Sequence, residues 1–251
     1  MLVMGILNVT PDSFADGGRH NEFDAAVKRG LEMIAEDVDI IDIGGESTRP
    51  GADRVSEEEE IARTIPVITE LAKHGVTLSI DTMRASTAEA AIKAGASIVN
   101  DVSGGLSDSK MLQTAARLQV PYIAMHWRGQ SKDMNSKAIY GDVVNDVIAE
   151  LNERIEAALD AGIAKDKLII DPGIGFAKDA EHNWAIIDSI DRFVALGYPV
   201  LVGASRKRFL GGDSPDEREA ATIELTKRLG TTGVWAVRVH SVKPHKEVLS
   251  S

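Results

Sequence analysis

Hydrophobic residues recur along the chain in short unbroken runs that stop abruptly in polar residues. Several of these runs are made almost entirely of Val, Ile and Leu. A strand that is buried on both faces of a parallel sheet needs such a run, whereas a strand with one solvated face alternates apolar and polar residues. The pattern predicts strands at about residues 2–7, 38–43, 76–81, 96–100, 120–125, 167–171, 199–204 and 234–239.

The segments between the runs have the apolar spacing of amphipathic helices. Pairs typical of capping boxes precede three of them, at Ser56–Glu59, Ser86–Glu89 and Ser214–Glu217. Helices are predicted at about 22–36, 56–74, 86–94, 109–118, 142–161, 181–196, 215–229 and 243–249. Glycines expected to end a helix just before a strand are Gly75, Gly95, Gly162 and Gly197.

Strand and helix thus alternate along the whole chain with short connections. This alternation predicts the α/β class and a (β/α)8 TIM barrel, with residues 1–251 forming a single domain. A doubly wound open sheet is the alternative, but such a sheet normally carries a phosphate-binding loop. The chain has no GxxxxGK[ST] motif, and Gly173-Ile174-Gly175 lacks the third glycine of a dinucleotide fingerprint.

Composition narrows the possible partners and the compartment. The net charge of −11 makes the chain a poor candidate for sequence-independent nucleic-acid binding, so no nucleic-acid partner is expected. No apolar run has the length of a membrane span, which is about 18 residues or more, and no membrane partner is expected. The chain has no Cys, and Met1–Gly5 lacks the basic start of a signal peptide. Together these features predict a cytoplasmic protein.

Polar residues at the predicted strand ends form the first candidate site. A parallel barrel brings the carboxyl ends of all its strands to one rim, where residues distant in sequence share a site. Asp81, Asn100 and Asp171 end three of the strands, and carboxylates and amides pair well with the edges of a flat heterocycle. Phe176, beyond the tight turn after Asp171, is placed to stack on a ring. The plainer alternative is that Asp171 only caps this turn and Asn100 only satisfies a loop.

Basic residues are concentrated at the ends of the last two predicted strands. Ser205-Arg206-Lys207 follows the seventh strand, and Arg238 and His240 lie at the end of the eighth. Barrels often hold phosphate at this pair of loops, and guanidinium groups bind phosphate with two hydrogen bonds. The alternative is that these charges are solvated surface groups, and Arg54 and Arg208 are assigned to that class.

The segment after the first strand offers hard oxygen ligands. The side chains of Asn8 and Asp12 suit Mg²⁺ when the ion also contacts a substrate diphosphate, because Mg²⁺ takes most of its ligands from substrate and water. The role of His126 is left open. Histidines without companions at metal-ligand spacing are interpreted as surface or packing residues: His20, His74, His182 and His245.

Seven segments, in this order, carry a family resemblance: Gly5–Phe14, Asp42–Gly51, Ser79–Thr82, Asn100–Gly104, Asp171–Phe176, Ser205–Lys207 and Arg238–His240. In combination they resemble the dihydropteroate synthases, pterin-binding enzymes of the folate pathway. The resemblance implies condensation of 6-hydroxymethyl-7,8-dihydropterin diphosphate with 4-aminobenzoate to give 7,8-dihydropteroate and diphosphate. It implies loss of diphosphate assisted by Mg²⁺, attack by the aryl amine, competition by sulfonamides, and a homodimer.

The resemblance also implies roles for individual residues. The residues implied in catalysis are Asp81, Asp171, Lys207, Arg238 and His240. The residues implied in substrate binding are Phe14, Thr48, Arg49, Pro50, Asp81, Asn100, Asp171, Gly175, Phe176, Ser205, Lys207, Arg238 and His240, and Asn8 is the implied Mg²⁺ ligand. Two alternatives stay open: a methyltetrahydrofolate-dependent methyltransferase domain and a non-catalytic pterin-binding paralogue.

Overall fold

A single parallel sheet organises the chain. The structure, a computed structural model, describes residues 1–9, 18–46, 54–130 and 134–250. The strands are β1 (Leu2–Asn8), β2 (Ile40–Gly44), β3 (Thr77–Asp81), β4 (Ile98–Asp101), β5 (Tyr122–Met125), β6 (Leu168–Asp171), β7 (Leu201–Val202) and β8 (Ala236–Val239). Their order in the sheet is β6-β5-β4-β3-β2-β1-β8-β7, and all neighbouring strands are parallel.

The two ends of the sheet meet. Ile170 of β6 forms a parallel bridge with Val200, just before β7, and the Ile170 N–H donates to the Pro199 carbonyl at 2.9 Å. This bridge closes the sheet into a barrel, which confirms the predicted (β/α)8 architecture. A closed barrel leaves no long unpaired strand edge.

Helices surround the barrel. They are α1 (Gly18–Ala35), α2 (Glu57–Leu71), α3 (Ala85–Ala94), α4 (Met111–Leu118), α5 (Val143–Asp160), α6 (Ala180–Asp188), α7 (Ile190–Val194), α8 (Glu217–Leu229) and α9 (Lys243–Ser250). Within the described residues no helix has the length and apolar character needed to cross a membrane.

Two predictions about the helices are wrong. The helix expected at 181–196 is two helices, because the backbone leaves helical geometry at Ser189 (φ −110°, ψ 23°). Ser86 does not cap α3, which already begins at Ala85 after the extended Arg84. The Ser56 cap is confirmed, since its hydroxyl accepts the Glu59 N–H at 3.2 Å.

The apolar core has two main parts. The larger part fills the space between the barrel and its helices. A second part lies inside the barrel and consists of Met4, Ile40, Ile98, Ile123, Ile169, Leu201 and Ala236. A third, smaller cluster of Met83, Val102 and Met125 packs with Trp127 and Phe176 beside the strand ends. This small cluster provides an apolar wall next to the polar residues described below.

Candidate active site

The strand register places the predicted site residues side by side. Asn8 of β1 is paired with Gly44 of β2, and Gly44 is paired with Asp81 of β3. Asp81 in turn is paired with Asn100 of β4. Three of the residues that the sequence selected therefore occupy one rim of the barrel.

Arg238 lies at the centre of this rim. Its Nε donates to Asp42 Oδ2 at 2.6 Å, and its Nη2 donates to Asp81 Oδ2 at 2.7 Å. Asn100 Nδ2 donates to the same Asp42 oxygen at 2.9 Å. Asp42 is fully buried, and its Oδ1 has no hydrogen-bond partner in the structure. Asp42 begins the Asp42–Gly51 segment but is not among the site residues predicted from sequence.

Burial and charge together set the ionisation of this group. Burial raises the pKa of Asp81 to about 7; Arg238 acts against this rise, and Asp42 adds to it. Burial opposes the charge of Arg238, but Asp42 and Asp81 outweigh it and raise the pKa of the guanidinium. Because two buried carboxylates face one guanidinium, removing Arg238 would leave uncompensated charge in the barrel mouth.

Asp171 begins the turn that runs from Gly173 to Phe176. Its Oδ1 accepts the Gly173 N–H at 2.7 Å, so the turn-capping contact considered from sequence is present. Burial raises the pKa of Asp171, while the Gly173 N–H and the Lys207 ammonium act in the opposite direction. The carboxylate therefore has both a structural contact and a position in the site.

Lys207 crosses the same turn. Its Nζ donates to the Ile174 carbonyl and lies 4.6 Å from the centroid of the Phe176 ring. Burial lowers the pKa of Lys207 to about 8, and Asp171 opposes this change. Gly175 has a φ of 78°, and a Cβ there would lie 2.6 Å from Lys207 Cδ. Glycine is thus required by both the backbone and the approach of the lysine.

Ser205 and His240 are in contact, whereas Arg206 between them in sequence binds other residues. Ser205 Oγ lies 2.9 Å from His240 Nδ1 and accepts the His240 backbone N–H at 3.2 Å. Arg206 donates from Nε to Glu219 at 2.6 Å and from Nη2 to Ser241 at 2.8 Å. Its φ is 58°, a left-handed conformation that is uncommon for a residue other than glycine.

A second buried network contains residues that the sequence interpretation left open or missed. His126 is 1% exposed, with Nε2 lying 2.9 Å from Glu150 Oε2 and Nδ1 lying 2.9 Å from Lys178 Nζ. Lys178 also donates to the carbonyls of Gly173 and Phe176, each at 3.0 Å. The only sequence signal for Lys178 was its place just after the Asp171–Phe176 segment.

An ion-pair cluster joins β2, α2 and α3. Arg84 donates to Glu46 at 2.9 Å and also pairs with Glu60, which is 1% exposed. Arg54, which was assigned to the solvated surface, donates to Glu46 at 3.0 Å with a side chain that is 37% exposed. The predicted site residues Phe14, Thr48, Arg49 and Pro50, and the candidate ligand Asp12, lie outside the described residues.

The described residues offer few side chains that could bind a metal ion. Among the described residues, no group of three or more His, Asp and Glu side chains has an arrangement that could hold a metal ion. Asn8 ends β1 beside Gly44, and its amide oxygen is a hard donor. This arrangement fits an ion that takes its remaining ligands from a substrate diphosphate and from water.

Comparison with known proteins shows the family to which the chain belongs. A family model described as "Pterin binding enzyme" matches residues 4–240. The chain is 48% identical to a dihydropteroate synthase of Mycobacterium leprae, over 98% of this chain and 90% of that protein. A structure of Xanthomonas albilineans dihydropteroate synthase with 4-aminobenzoic acid superposes with a TM-score of 0.93, at 43% identity, covering 99% of this chain and 90% of that one. A structure of the enzyme from the same organism with 7,8-dihydropteroate has a TM-score of 0.90, at 40% identity, covering 99% and 91%.

Proposed function

The chain belongs to the pterin-binding enzymes and is an enzyme of the dihydropteroate synthase type, and from this membership we propose its substrates and the roles of its residues. The proposed substrates are 6-hydroxymethyl-7,8-dihydropterin diphosphate and 4-aminobenzoate, and the products are 7,8-dihydropteroate and diphosphate. The observation that carries this proposal is the convergence of Asp81, Asn100, Asp171, Lys207 and Arg238 on one rim.

The pterin is proposed to bind between the polar rim and the apolar wall. Asp171 accepts hydrogen bonds from the amino and ring N–H groups of the pterin, and Lys207 donates to a ring acceptor. Asn100 and Asp81 complete the polar edge, and the cluster of Met83, Val102 and Met125 supplies a flat apolar contact. Buried polar groups of this kind favour a ligand with matching donors and acceptors, because an unmatched ligand leaves them unsatisfied.

The diphosphate is proposed to lie near Asn8, Arg238 and His240. With the Ser205 hydroxyl donating to His240 Nδ1, the imidazole carries its proton on Nε2, which makes it a hydrogen-bond donor. Asn8 would hold Mg²⁺, whose charge would offset the charge of the diphosphate as it leaves. Because Nε and Nη2 of Arg238 already donate to Asp42 and Asp81, we propose that Arg238 acts mainly by keeping the rim electrically balanced.

The aryl amine is proposed to attack after or during loss of the diphosphate. The carbon that bears the diphosphate is adjacent to the pterin ring, which shares the developing positive charge. Positioning and electrostatic stabilisation then account for catalysis without a covalent nucleophile. Phe176 and Lys207, which lie against each other, form the described side of the aminobenzoate pocket.

Diphosphate release tests the proposal directly. We expect the purified protein to release diphosphate and form dihydropteroate when both substrates and Mg²⁺ are present, and to lose turnover with EDTA. Binding of the pterin without turnover would instead indicate a non-catalytic paralogue, and methyl transfer from methyltetrahydrofolate would indicate the methyltransferase alternative. Full turnover in metal-free buffer would contradict the role of Asn8 and Mg²⁺.

Three further properties are proposed, the first two of them from the resemblance. Sulfonamides mimic aminobenzoate and should compete with it, which inhibition kinetics at varied aminobenzoate will show. A homodimer is proposed, with light scattering as its test. A cytoplasmic location is proposed from the absence of cysteine, and cell fractionation tests it.

A further inference from the structure

The ammonium group of Lys178 has an unusual set of partners for a buried lysine. Its Nζ lies 2.9 Å from His126 Nδ1, 3.0 Å from the Gly173 carbonyl and 3.0 Å from the Phe176 carbonyl. The residue is only 8% exposed. Burial lowers the pKa of Lys178 to about 7, and Asp171 acts in the opposite direction. In its ammonium form the group has three N–H donors and no acceptor, so these partners use all of its hydrogen-bonding capacity. With Lys178 in this charged form, His126 is neutral and accepts at Nδ1, and its proton lies on Nε2 toward Glu150.

The two carbonyls that Lys178 contacts are the ends of one turn. The Phe176 N–H donates to the Gly173 carbonyl at 3.1 Å, so Gly173 and Phe176 close the turn on each other. Between them, the Ile174 carbonyl accepts from Lys207, and the Phe176 ring lies 4.6 Å from Lys207 Nζ. Lys178 therefore binds the two ends of this turn, while Lys207 contacts its middle at Ile174.

A second anchor holds the middle of the same turn. Asn183 of α6 accepts the Gly175 N–H at 2.7 Å and donates from Nδ2 to the Asp179 carbonyl at 2.6 Å. Asp171 holds the start of the turn through the Gly173 N–H, a contact that does not involve Lys178. Asp171 therefore fixes the start of the turn and Asn183 its middle, while Lys178 fixes the carbonyl of its last residue, Phe176.

Burying an ammonium is costly unless every donor is satisfied, whereas an apolar side chain of the same length would fill this space without that cost. A residue that served only to fill the core would therefore not need to be a lysine here. The observed geometry uses the N–H donors of Lys178 to fix two carbonyl oxygens at once.

We propose that Lys178 is a positioning residue that sets the Phe176 and Lys207 side of the aminobenzoate pocket by holding the Gly173–Phe176 turn. The inference rests on the proposed function, because it assigns Lys178 to the aminobenzoate subsite of that reaction. Lys178 itself contacts no substrate in this scheme and acts through the turn.

The test compares Lys178→Met, which keeps length but removes all donors, with the wild type in the dihydropteroate assay. We expect the KM for aminobenzoate to rise about tenfold, while kcat and the Kd for the pterin diphosphate change less than about threefold. The melting temperature should fall by less than about 5 °C, because an apolar side chain replaces a buried charge. Lys227→Met, at an exposed position of α8, is the matched control and should leave every parameter unchanged.

A second variant covers the case in which Lys178→Met does not fold. Lys178→Gln keeps two N–H donors without the charge, and we expect a KM for aminobenzoate between the wild-type value and the Met value. A wild-type KM in a folded Met or Gln variant would overturn the inference, as would a loss of melting temperature with no change in KM. If the wild type itself forms no dihydropteroate, the proposed function fails, and that result is visible before any variant is compared.

Discussion

Asp171 caps the turn that follows it and is proposed to bind the pterin, and one substitution separates these two roles. Asp171→Asn keeps the shape of the side chain and keeps one oxygen for the Gly173 N–H, which is 2.7 Å away. It also places an N–H₂ donor where the pterin presents donors. We expect pterin affinity to fall about tenfold or more, since an unmatched buried polar group costs about 1–3 kcal/mol. Isothermal calorimetry with the pterin substrate measures this loss.

Thermal melting of the same Asp171→Asn protein provides the control. If the carboxylate served only to cap the turn, the melting temperature would fall and the pterin affinity would stay at its wild-type value. The roles of binding and capping are therefore distinguished by two measurements on one variant. An unchanged affinity would remove Asp171 from the site.

Gly175 permits a sharper comparison, because a second glycine has nearly the same backbone angle. Gly175→Ala places a methyl group 2.6 Å from Lys207 Cδ at a φ of 78°. We expect a stability loss of about 1–2 kcal/mol from the left-handed backbone and, in addition, at least a threefold rise in the KM for aminobenzoate as Lys207 is displaced. Steady-state kinetics and urea unfolding measure the two effects.

Gly197 is the matched control for this change. Its φ is 79°, but a Cβ there would meet nothing within 4 Å. Gly197→Ala should therefore show a similar stability loss with an unchanged KM. Equal kinetic effects at the two glycines would mean that backbone strain, and not contact with Lys207, explains the result at Gly175.

At the scale of residues, the sequence predicts which residues lie on the rim better than it predicts which residues they contact. Asp81, Asn100 and Asp171 were selected because each lies at the end of an apolar run, and the strand register pairs Asp81 with Asn100 and Asp171 with Met125 at the ends of β3 to β6. Asp42 was missed because it lies inside a strand, with an apolar residue on each side. Lys178 was missed because its three acceptors come from residues brought together only by the folded turn.

At the scale of elements, the alternation of strands and helices was predictable and the ends of helices were less so. Gly75, Gly95, Gly162 and Gly197 all have positive φ and each precedes the next strand, as predicted. The interruption at Ser189 carries no glycine or proline, so its sequence gives no signal. The Ser86 pattern was misleading because the extended Arg84, two residues earlier, is the N-cap of a helix that begins at Ala85.

The buried ion pair between α2 and the start of α3 is expected to contribute strongly to the stability of the fold. Glu60 of α2 is 1% exposed and pairs with Arg84, while also accepting from Thr87 of α3 at 3.1 Å. Glu60→Ala removes a partner from a buried charge, and we expect a loss of about 3 kcal/mol in the free energy of unfolding. Glu58→Ala, an exposed change on the same helix, should cost much less than Glu60→Ala. Similar losses from both changes, measured in urea, would show that the buried pair contributes little.

At the scale of the whole molecule, barrel closure is what turns scattered motifs into one site. β7 has only two residues, and closure toward β6 depends on the bridge between Ile170 and Val200. The apolar runs predicted this strand as longer, at 199–204, because Gly203 and Ala204 continue the run in sequence. The shortened strand leaves Gly203 and the residues after it outside the ladder, where Ser205 and Lys207 reach the rim.

The stability of the molecule should depend on pH through His126. Burial, together with the nearby Lys178 amino group, lowers the pKa of His126 to about 4, although the hydrogen bond that the imidazole makes to Glu150 acts in the opposite direction. In the unfolded chain this pKa is about 6.5. Between these values the unfolded chain binds a proton that the folded protein does not, so the stability present above pH 6.5 is lost as the pH falls toward 4.

We therefore expect His126 to account for about 2 kcal/mol of the fall in unfolding free energy between pH 7 and pH 5. Burial acts to raise the pKa of Glu150, but hydrogen bonds from His126 and Arg128 lower it to about 2. Glu150 therefore contributes in the same direction only below about pH 4.5. Asp81, whose pKa is about 7, also titrates in the pH 5–7 window, so a variant without the imidazole is needed to isolate the contribution of His126. His126→Gln removes the titrating group. Urea titrations at each pH should therefore show that the unfolding free energy of this variant falls by about 2 kcal/mol less across this window than that of the wild type.

The exposed His74→Gln variant is the control and should keep the full pH dependence. If the wild type and His126→Gln lose the same amount, His126 is not held neutral in the folded protein, and the acceptor that Lys178 needs at Nδ1 would also be in doubt.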